Sequence, residues 1–212
     1  MNSALIPLIA AILVSYLIGS ISGSLLLGRL RGVDIRTLGS GNAGATNALR
    51  TQGVGFAIGT ALIDIGKGAI AALLIARWAQ PQLQSLASYA CALAVTLGHC
   101  FPVFFGFRGG KGAGTGVGSL IGLQPIAALC ALLAWLLVVT LSGFVGLSTV
   151  VACIVAALSI IWLGALHGAP LRLVLAMLAL IVLLHRGNLQ RLMRGTEPRF
   201  ERARLLRRRS AD

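Results

Sequence analysis

Apolar residues run almost unbroken through the chain up to Leu184, and polar positions fall between them in a few short clusters. The runs lack the alternation of barrel strands, so each stretch of about 20 apolar residues predicts a helix that crosses a bilayer. Such crossings are expected over Ala4 to Gly28, Val54 to Ala76 and Leu83 to Phe105. The next run, Ala113 to Leu141, is 29 residues long and holds Gly122-Leu123-Gln124-Pro125 in its middle. Proline ends a helix and keeps the residue before it extended. This run therefore predicts two short membrane helices, Ala113 to Gly122 and Ile126 to Leu141. A sixth crossing ends near Leu166, and a seventh covers Leu171 to Leu184 after an outer turn that holds His167.

Composition excludes a soluble domain, because 57% of the residues are hydrophobic and only 11% charged. The expected fold is all-α, a polytopic membrane protein. Eighteen basic residues against five acidic ones give a net charge of +13, and half of the basic residues follow His185. Beside a membrane this excess sets topology and lipid contact, so no nucleic-acid partner is expected. Nothing basic precedes the first crossing, which ends in Arg29 and Arg31. That asymmetry puts the amino terminus outside and the next loop in the cytoplasm. With the Arg-rich carboxyl terminus also cytoplasmic, the number of crossings is odd, and about seven helices result. No removable signal peptide is expected. Residues 1–197 read as one membrane-embedded domain and 198–212 as a basic tail. Cys91, Cys100, Cys130 and Cys153 stand singly, as small buried hydrophobes rather than metal or redox ligands.

The polar clusters carry the candidate chemistry. Gly39-Ser40-Gly41-Asn42-Ala43-Gly44-Ala45-Thr46-Asn47, closed by Arg50, combines glycines that admit a close ligand with short donors and acceptors and one guanidinium fork. It predicts a phosphate or carboxylate site. Gly109-Gly110-Lys111-Gly112 resembles a nucleotide-binding loop, but Phe105 occupies the place of its first Gly and Gly112 that of its hydroxyl. ATP and magnesium are not expected; a glycine turn, a Lys charge and a helix start aimed at an anion remain. The split of the long run returns Ser142 to Thr149 to the side of these loops. Asp64 and Lys67, three apart on one helix, predict an ion pair that orients it. His99 reads as a packing residue, and the serines of Gly19 to Ser24 as small contacts between helices.

Three segments together, Gly39 to Arg50, Gly98 to Gly112 and His185 to Glu197, resemble the bacterial acyl-phosphate:glycerol-3-phosphate acyltransferases, the PlsY family. Their patterns occur here in order and span nearly the whole chain. The resemblance implies a seven-helix enzyme of the bacterial inner membrane with its active site on the cytoplasmic face. It implies acyl transfer from acyl phosphate to the 1-hydroxyl of glycerol 3-phosphate, yielding lysophosphatidate and phosphate, with no cofactor or metal. By position, Ser40, Thr46 and Arg50 belong to phosphate binding, with Gly41, Asn42, Gly44, Asn47, Gly109 and Gly110 lining the loops. Lys111, His185, Asn188 and Thr149 are the implied catalytic group, and Ser148 is the neighbouring hydroxyl. Where the family tends to Ser, this chain has Gly146. The implied partners are the two substrates, membrane lipid and the soluble enzyme that makes acyl phosphate.

The residues agree with such a reaction. Arg50 and Lys111 can offset the repulsion between two phosphorylated substrates, and phosphate leaves readily, so positioning and charge stabilisation replace a protein nucleophile. Either His185 or a phosphate oxygen of the substrate can take the hydroxyl proton, and the substrate-assisted route is preferred. The competing expectation, a carrier for organic phosphates, would call for inverted repeats around a midplane site, and no repeat is evident.

Overall fold

The computed structural model describes residues 3–164 and 166–200, and among these it has ten α-helices, four short 3₁₀ turns and no strand. The helices are α1 (Leu5–Gly19), α2 (Gly23–Leu30), α3 (Ala45–Gln52), α4 (Val54–Leu73), α5 (Gln84–Cys100), α6 (Ala113–Leu123), α7 (Pro125–Ser142), α8 (Val145–Leu163), α9 (Gly168–Leu184) and α10 (Arg186–Met193). Four segments are singly long and apolar enough to cross a membrane: Val54–Trp78, Pro81–Phe105, α7 and α8. The pairs α1 with α2, bent by 48°, and α9 with α10, bent by 42°, raise that number to six. Helix α6 has only 11 residues.

The split before Pro125 forms as expected, with Gln124 outside the helical region at φ −142° and ψ 65° and its Nε2 donating to the Tyr89 hydroxyl at 2.6 Å. The crossing expected over Ala4 to Gly28 is formed by two helices and not by one continuous helix. It breaks at Ser20-Ile21-Ser22, where Ser22 takes an extended conformation ahead of α2. The break is stabilised from a distant helix, as described below, which no local pattern announces.

The described residues fall into two compact units, 3–125 with 166–177, and 126–164 with 178–200. In the first, α4 packs on α6 and α1 on α5, and α4 also touches α2, α3 and α5. Both main crossings are made by glycine. A β-carbon on Gly19 of α1 would strike the Val95 carbonyl, and one on Gly98 of α5 the Tyr16 carbonyl. Gly68 of α4 meets the Thr115 carbonyl, and Gly118 of α6 the Ile65 carbonyl, in the same way. Such close approach gives van der Waals packing where lipid offers helices no hydrophobic drive to associate. Leu25, Ile35, Ala43, Ala48 and Phe56 form an apolar cluster that seats the first polar loop. Ile6, Ile9, Leu13 and Leu17 of α1 and Ile58 and Leu62 of α4 remain exposed, as a lipid-facing surface requires.

In the second unit α10 packs on α8, and the chain after α10 is tied down by the Phe200 N–H, which donates to the Gly143 carbonyl at 2.8 Å. The Arg199 guanidinium lies 4.9 Å from the Phe144 ring centre. Val139, Val150, Ala156, Ile160, Leu178 and Ile181 are buried here, while Leu129, Leu132 and Leu136 of α7 are exposed. All four cysteines are free thiols, three of them buried. Residues 201–212 of the expected tail lie outside the described residues.

Candidate active site

The first polar loop joins α2 to α3, and Asn47 shapes it from inside. Its buried amide accepts from the Ser40 N–H at 2.9 Å and donates to the Ile35 and Leu38 carbonyls at 3.1 and 3.0 Å. Gly39 and Gly41 take left-handed φ values of 55° and 72°, and a β-carbon at Gly39 would collide with the Asn47 amide oxygen. The hydrogen bonds of Asn47 are thus spent on the loop itself. Ser40, Gly41 and Arg50 are exposed, while Asn42, Gly44 and Thr46 are half-buried.

The second loop runs back along the end of α5. The Gly109 N–H donates to the Cys100 carbonyl and the Gly110 N–H to the His99 carbonyl, both at 3.1 Å. Gly106 and Phe107 are left-handed in succession, at φ 65° and 58°, uncommon for a bulky residue such as Phe107. Lys111 then leads into Gly112, whose φ of 83° opens α6. A β-carbon on Gly110 would lie 2.9 Å from the Ala43 carbonyl, so the two glycine loops meet.

Arginines outside the expected set hold this junction. Arg36 Nη1 donates to the Phe105 and Arg108 carbonyls at 2.9 and 3.1 Å, and Nε and Nη2 grip Asp34. The Arg36 hydrogen bond keeps the Asp34 carboxyl below its ordinary pKa, and Asp34 raises that of Arg36 in return. Arg29 lies over the Phe105 ring at 4.1 Å and donates to the Phe104 carbonyl at 3.2 Å. Sequence reasoning missed Asp34 and Arg36, because a charge pair two residues apart is too common a pattern to mark a support.

Beneath the loops, the expected ion pair forms at 3.0 Å between Lys67 and Asp64, both buried. It does more than orient α4. In an unbroken helix the Gly23 N–H would donate to the Gly19 carbonyl. Here the Gly23 N–H donates to Asp64 Oδ1 at 3.1 Å, and the Gly19 carbonyl accepts from Lys67 Nζ at 2.9 Å. The ion pair has inserted itself into that hydrogen bond, with a further Lys67 contact to the Ile21 carbonyl at 2.9 Å. Each charge also suits the helix terminus it faces, carboxylate at the start of α2 and ammonium at the end of α1. His99 joins this cluster, against the packing role expected for it: its Nδ1 lies 2.9 Å from Lys67 Nζ.

The second unit holds the rest of the expected residues. His185 sits at the α9 to α10 break with Nδ1 at 2.7 Å from the Ile181 carbonyl. A carbonyl only accepts, so Nδ1 carries a proton. Asn188 Nδ2 donates to Glu197 Oε1 at 2.6 Å, and Arg191 Nε to Oε2 at 2.8 Å. Glu197, absent from the expected site, thereby fixes the Asn188 amide. A β-carbon on Gly146 would approach the Asn188 side chain within 2.5 to 2.9 Å, so Gly at this position lets α10 lie close against α8. Thr149 Oγ1 donates to the Val145 carbonyl at 3.0 Å and accepts from the Trp135 indole at 3.3 Å, while Ser148 Oγ donates to the Phe144 carbonyl at 2.8 Å. His167 is exposed ahead of α9.

Chemically, the first unit offers two glycine loops in contact, each leading into a helix start, with Arg50 and Lys111 as fixed charges. Such an arrangement favours anions. Among the described residues no cluster of His, Cys, Asp or Glu could hold a metal ion.

Comparison with known proteins gives the same direction. The model of the family described as glycerol-3-phosphate acyltransferase matches residues 9–195. A protein of that name from Gluconobacter oxydans is 43% identical over 201 residues, covering 92% of this chain and 93% of its own. The Sinorhizobium medicae protein of the same name is 41% identical over 193 residues, 91% and 92% of the two chains. The crystal structure of PlsY, an integral membrane glycerol 3-phosphate acyltransferase in its glycerol 3-phosphate form, superposes with a TM-score of 0.83. It is 36% identical and covers 94% of this chain and 96% of that one.

Proposed function

Because the chain belongs to the glycerol-3-phosphate acyltransferase family of multi-pass membrane proteins, we propose that it transfers a fatty acyl group from acyl phosphate to the 1-hydroxyl of sn-glycerol 3-phosphate. The products are lysophosphatidate and inorganic phosphate. The observation that supports this reading is the contact between the two glycine loops at Gly110 and Ala43; Ser40, Gly41, Asn42, Gly44, Thr46 and Arg50 on the first loop and Gly109, Gly110 and Lys111 on the second enter on the match of their segments to the family pattern. In this reading the Arg50 and Lys111 cations hold the substrate phosphates, with the Ser40, Asn42 and Thr46 side chains as neighbouring donors, because the Ser40, Gly41, Gly109 and Gly110 N–H groups already donate within the loops. His185, Asn188, Thr149 and Ser148 enter the reaction on the match of their segments to the family pattern.

The hydroxyl oxygen attacks the acyl carbon, the bond from that carbon to the phosphate oxygen breaks, and phosphate departs with the bonding pair. The hydroxyl proton goes to a phosphate oxygen of the substrate. Oriented donors supply the rate through proximity and charge stabilisation, and no covalent acyl-enzyme forms. Counting α6 as a short crossing gives seven spans, with the amino terminus outside, both glycine loops on the cytoplasmic face of the inner membrane, and the soluble producer of acyl phosphate as a partner.

The test is direct: purified protein is incubated with acyl phosphate and glycerol 3-phosphate, without coenzyme A or added metal. Lysophosphatidate and stoichiometric phosphate are expected. Product formed only when acyl-coenzyme A replaces acyl phosphate would overturn the donor assignment. In a background lacking the four native cysteines, cysteines placed at the exposed positions Ser40 and Arg108 should react with impermeant thiol reagents from the cytoplasmic side only.

A further inference from the structure

His99 touches three things at once. Its Nδ1 lies 2.9 Å from Lys67 Nζ and 3.3 Å from Asp64 Oδ1. Its backbone carbonyl accepts the Gly110 N–H at 3.1 Å. Its Nε2 lies against Gly110, where an added β-carbon would strike it and also lie 2.9 Å from the Ala43 carbonyl. The ring is 3% exposed, so water does not decide its protonation pattern.

The ion pair decides it. Lys67 Nζ has three protons and four acceptors within 3.0 Å: the Gly19 and Ile21 carbonyls, Asp64 Oδ1 and His99 Nδ1. An ammonium can only donate, and a proton on Nδ1 would face it at 2.9 Å. Nδ1 therefore bears the lone pair, one ammonium proton is shared between it and Asp64, and the remaining ring proton sits on Nε2. That N–H is directed to the junction where the backbone of the second glycine loop meets the first.

We propose that His99 is a positioning residue that sets the two glycine loops against each other, held as the Nε2–H tautomer by the buried Asp64–Lys67 pair. The ring transmits the fixed geometry of the α1 to α2 break to Gly110, and through it to Ala43. This rests on the reading of the loops as the phosphate-binding elements. What it adds is a role for a buried cluster that touches no substrate and that the mechanism does not otherwise use.

The test compares His99→Asn with His99→Gln in the full-length protein in lipid nanodiscs. Asn keeps an acceptor where Nδ1 stood and so preserves the ion pair, but it lacks the ring that abuts Gly110. Gln carries its N–H donor to about the position of Nε2. Amide hydrogen exchange of segments 39–47 and 106–112 needs no substrate. In the Asn variant these amides should exchange about tenfold faster, with the melting temperature near that of the parent. KM for glycerol 3-phosphate should rise about tenfold with kcat altered by less than about threefold, and Gln should restore part of the loss. Parental exchange and KM in the Asn variant would overturn the proposal, as would a fall in melting temperature alone, which would make His99 a filler of the ion-pair cavity. A parent protein that transfers no acyl group would remove the functional reading, while exchange at the loops would still decide the role of His99.

Discussion

The Arg36 guanidinium donates to the Phe105 carbonyl at 2.9 Å, so one side chain of the first polar loop holds the backbone of the second, 69 residues further on. Arg36→Ala removes a charged hydrogen bond worth about 1.5 to 3 kcal/mol, and partial exposure of the side chain puts the effect at the lower end. A rise of about tenfold in KM for glycerol 3-phosphate is expected. The partner carboxylate fixes the pH dependence. Its pKa is lowered by Arg36, so its contribution is complete above the unfolded value of about 3.9 and is lost only as pH falls through the folded value. The ratio of parent to Asp34→Asn activity should stay constant between about pH 5 and 8. A ratio that changes across this range would show that Asp34 titrates differently.

Arg50 and Lys111 flank the meeting loops. Truncating either to Ala should remove a charge-assisted phosphate contact and lower kcat/KM about tenfold to a hundredfold. Steady-state kinetics on protein with parental melting behaviour checks this; near-parental kinetics for Arg50→Ala would take the first loop out of the site.

Thr149 supplies a hydroxyl that accepts the Trp135 indole proton. Thr149→Ser should remain active, whereas Thr149→Val leaves that indole without its acceptor and should be strongly impaired. Trp135→Phe separates the two effects. If Trp135→Phe is as damaging as Thr149→Val, the hydroxyl serves to hold Trp135 and has no part in the chemistry.

Two glycines two residues apart on α4 make opposite predictions. A β-carbon at Gly68 strikes the Thr115 carbonyl of α6, while one at Gly66 meets nothing within 4 Å. Gly68→Ala should destabilise by about 1 to 3 kcal/mol through overpacking. Gly66→Ala should be neutral or stabilise by up to about 1 kcal/mol. Thermal melting in detergent distinguishes them, and equal melting temperatures would contradict the glycine-mediated crossing.

Lys67→Met should lower stability by about 3 to 5 kcal/mol, because it leaves Asp64 as a buried charge and the Gly19 carbonyl without a donor. Adding Asp64→Asn should recover part of the loss, since the two residues act as one unit. A double variant that melts below Lys67→Met by the full cost of a second lesion would show that they act independently.

Much of this architecture is written in local pattern. Apolar run length marked the long apolar helices, four to six of which can cross a membrane, Pro125 announced the break before it, and the spacing of Asp64 and Lys67 announced their pairing. What local pattern could not show depends on partners far along the chain. The α1 to α2 break is held by residues of α4, Arg36 finds its acceptors beyond α5, and His99 looks like packing until Lys67 is seen beside it. Asn47 was legible as a polar loop residue but not as one whose amide faces inward, because its acceptors are backbone carbonyls that every residue carries. Glu197 was visible only as the last residue of a motif, and its grip on Asn188 requires the turn after α10.

The ion pair inserted between Gly19 and Gly23 also implies an order of assembly. A Lys or Asp near the middle of a helix entering lipid alone is opposed by about 2.5 to 3.5 kcal/mol. Synthesis runs from the amino terminus, so the broken first span is made before α4 leaves the ribosome. Until Asp64 and Lys67 arrive, the Gly23 N–H and the Gly19 carbonyl have each other as helical partners, so the bend is completed by an exchange of hydrogen bonds as α4 docks. The kink of the first span and the two charges of α4 are therefore satisfied together, and neither segment reaches its final form without the other.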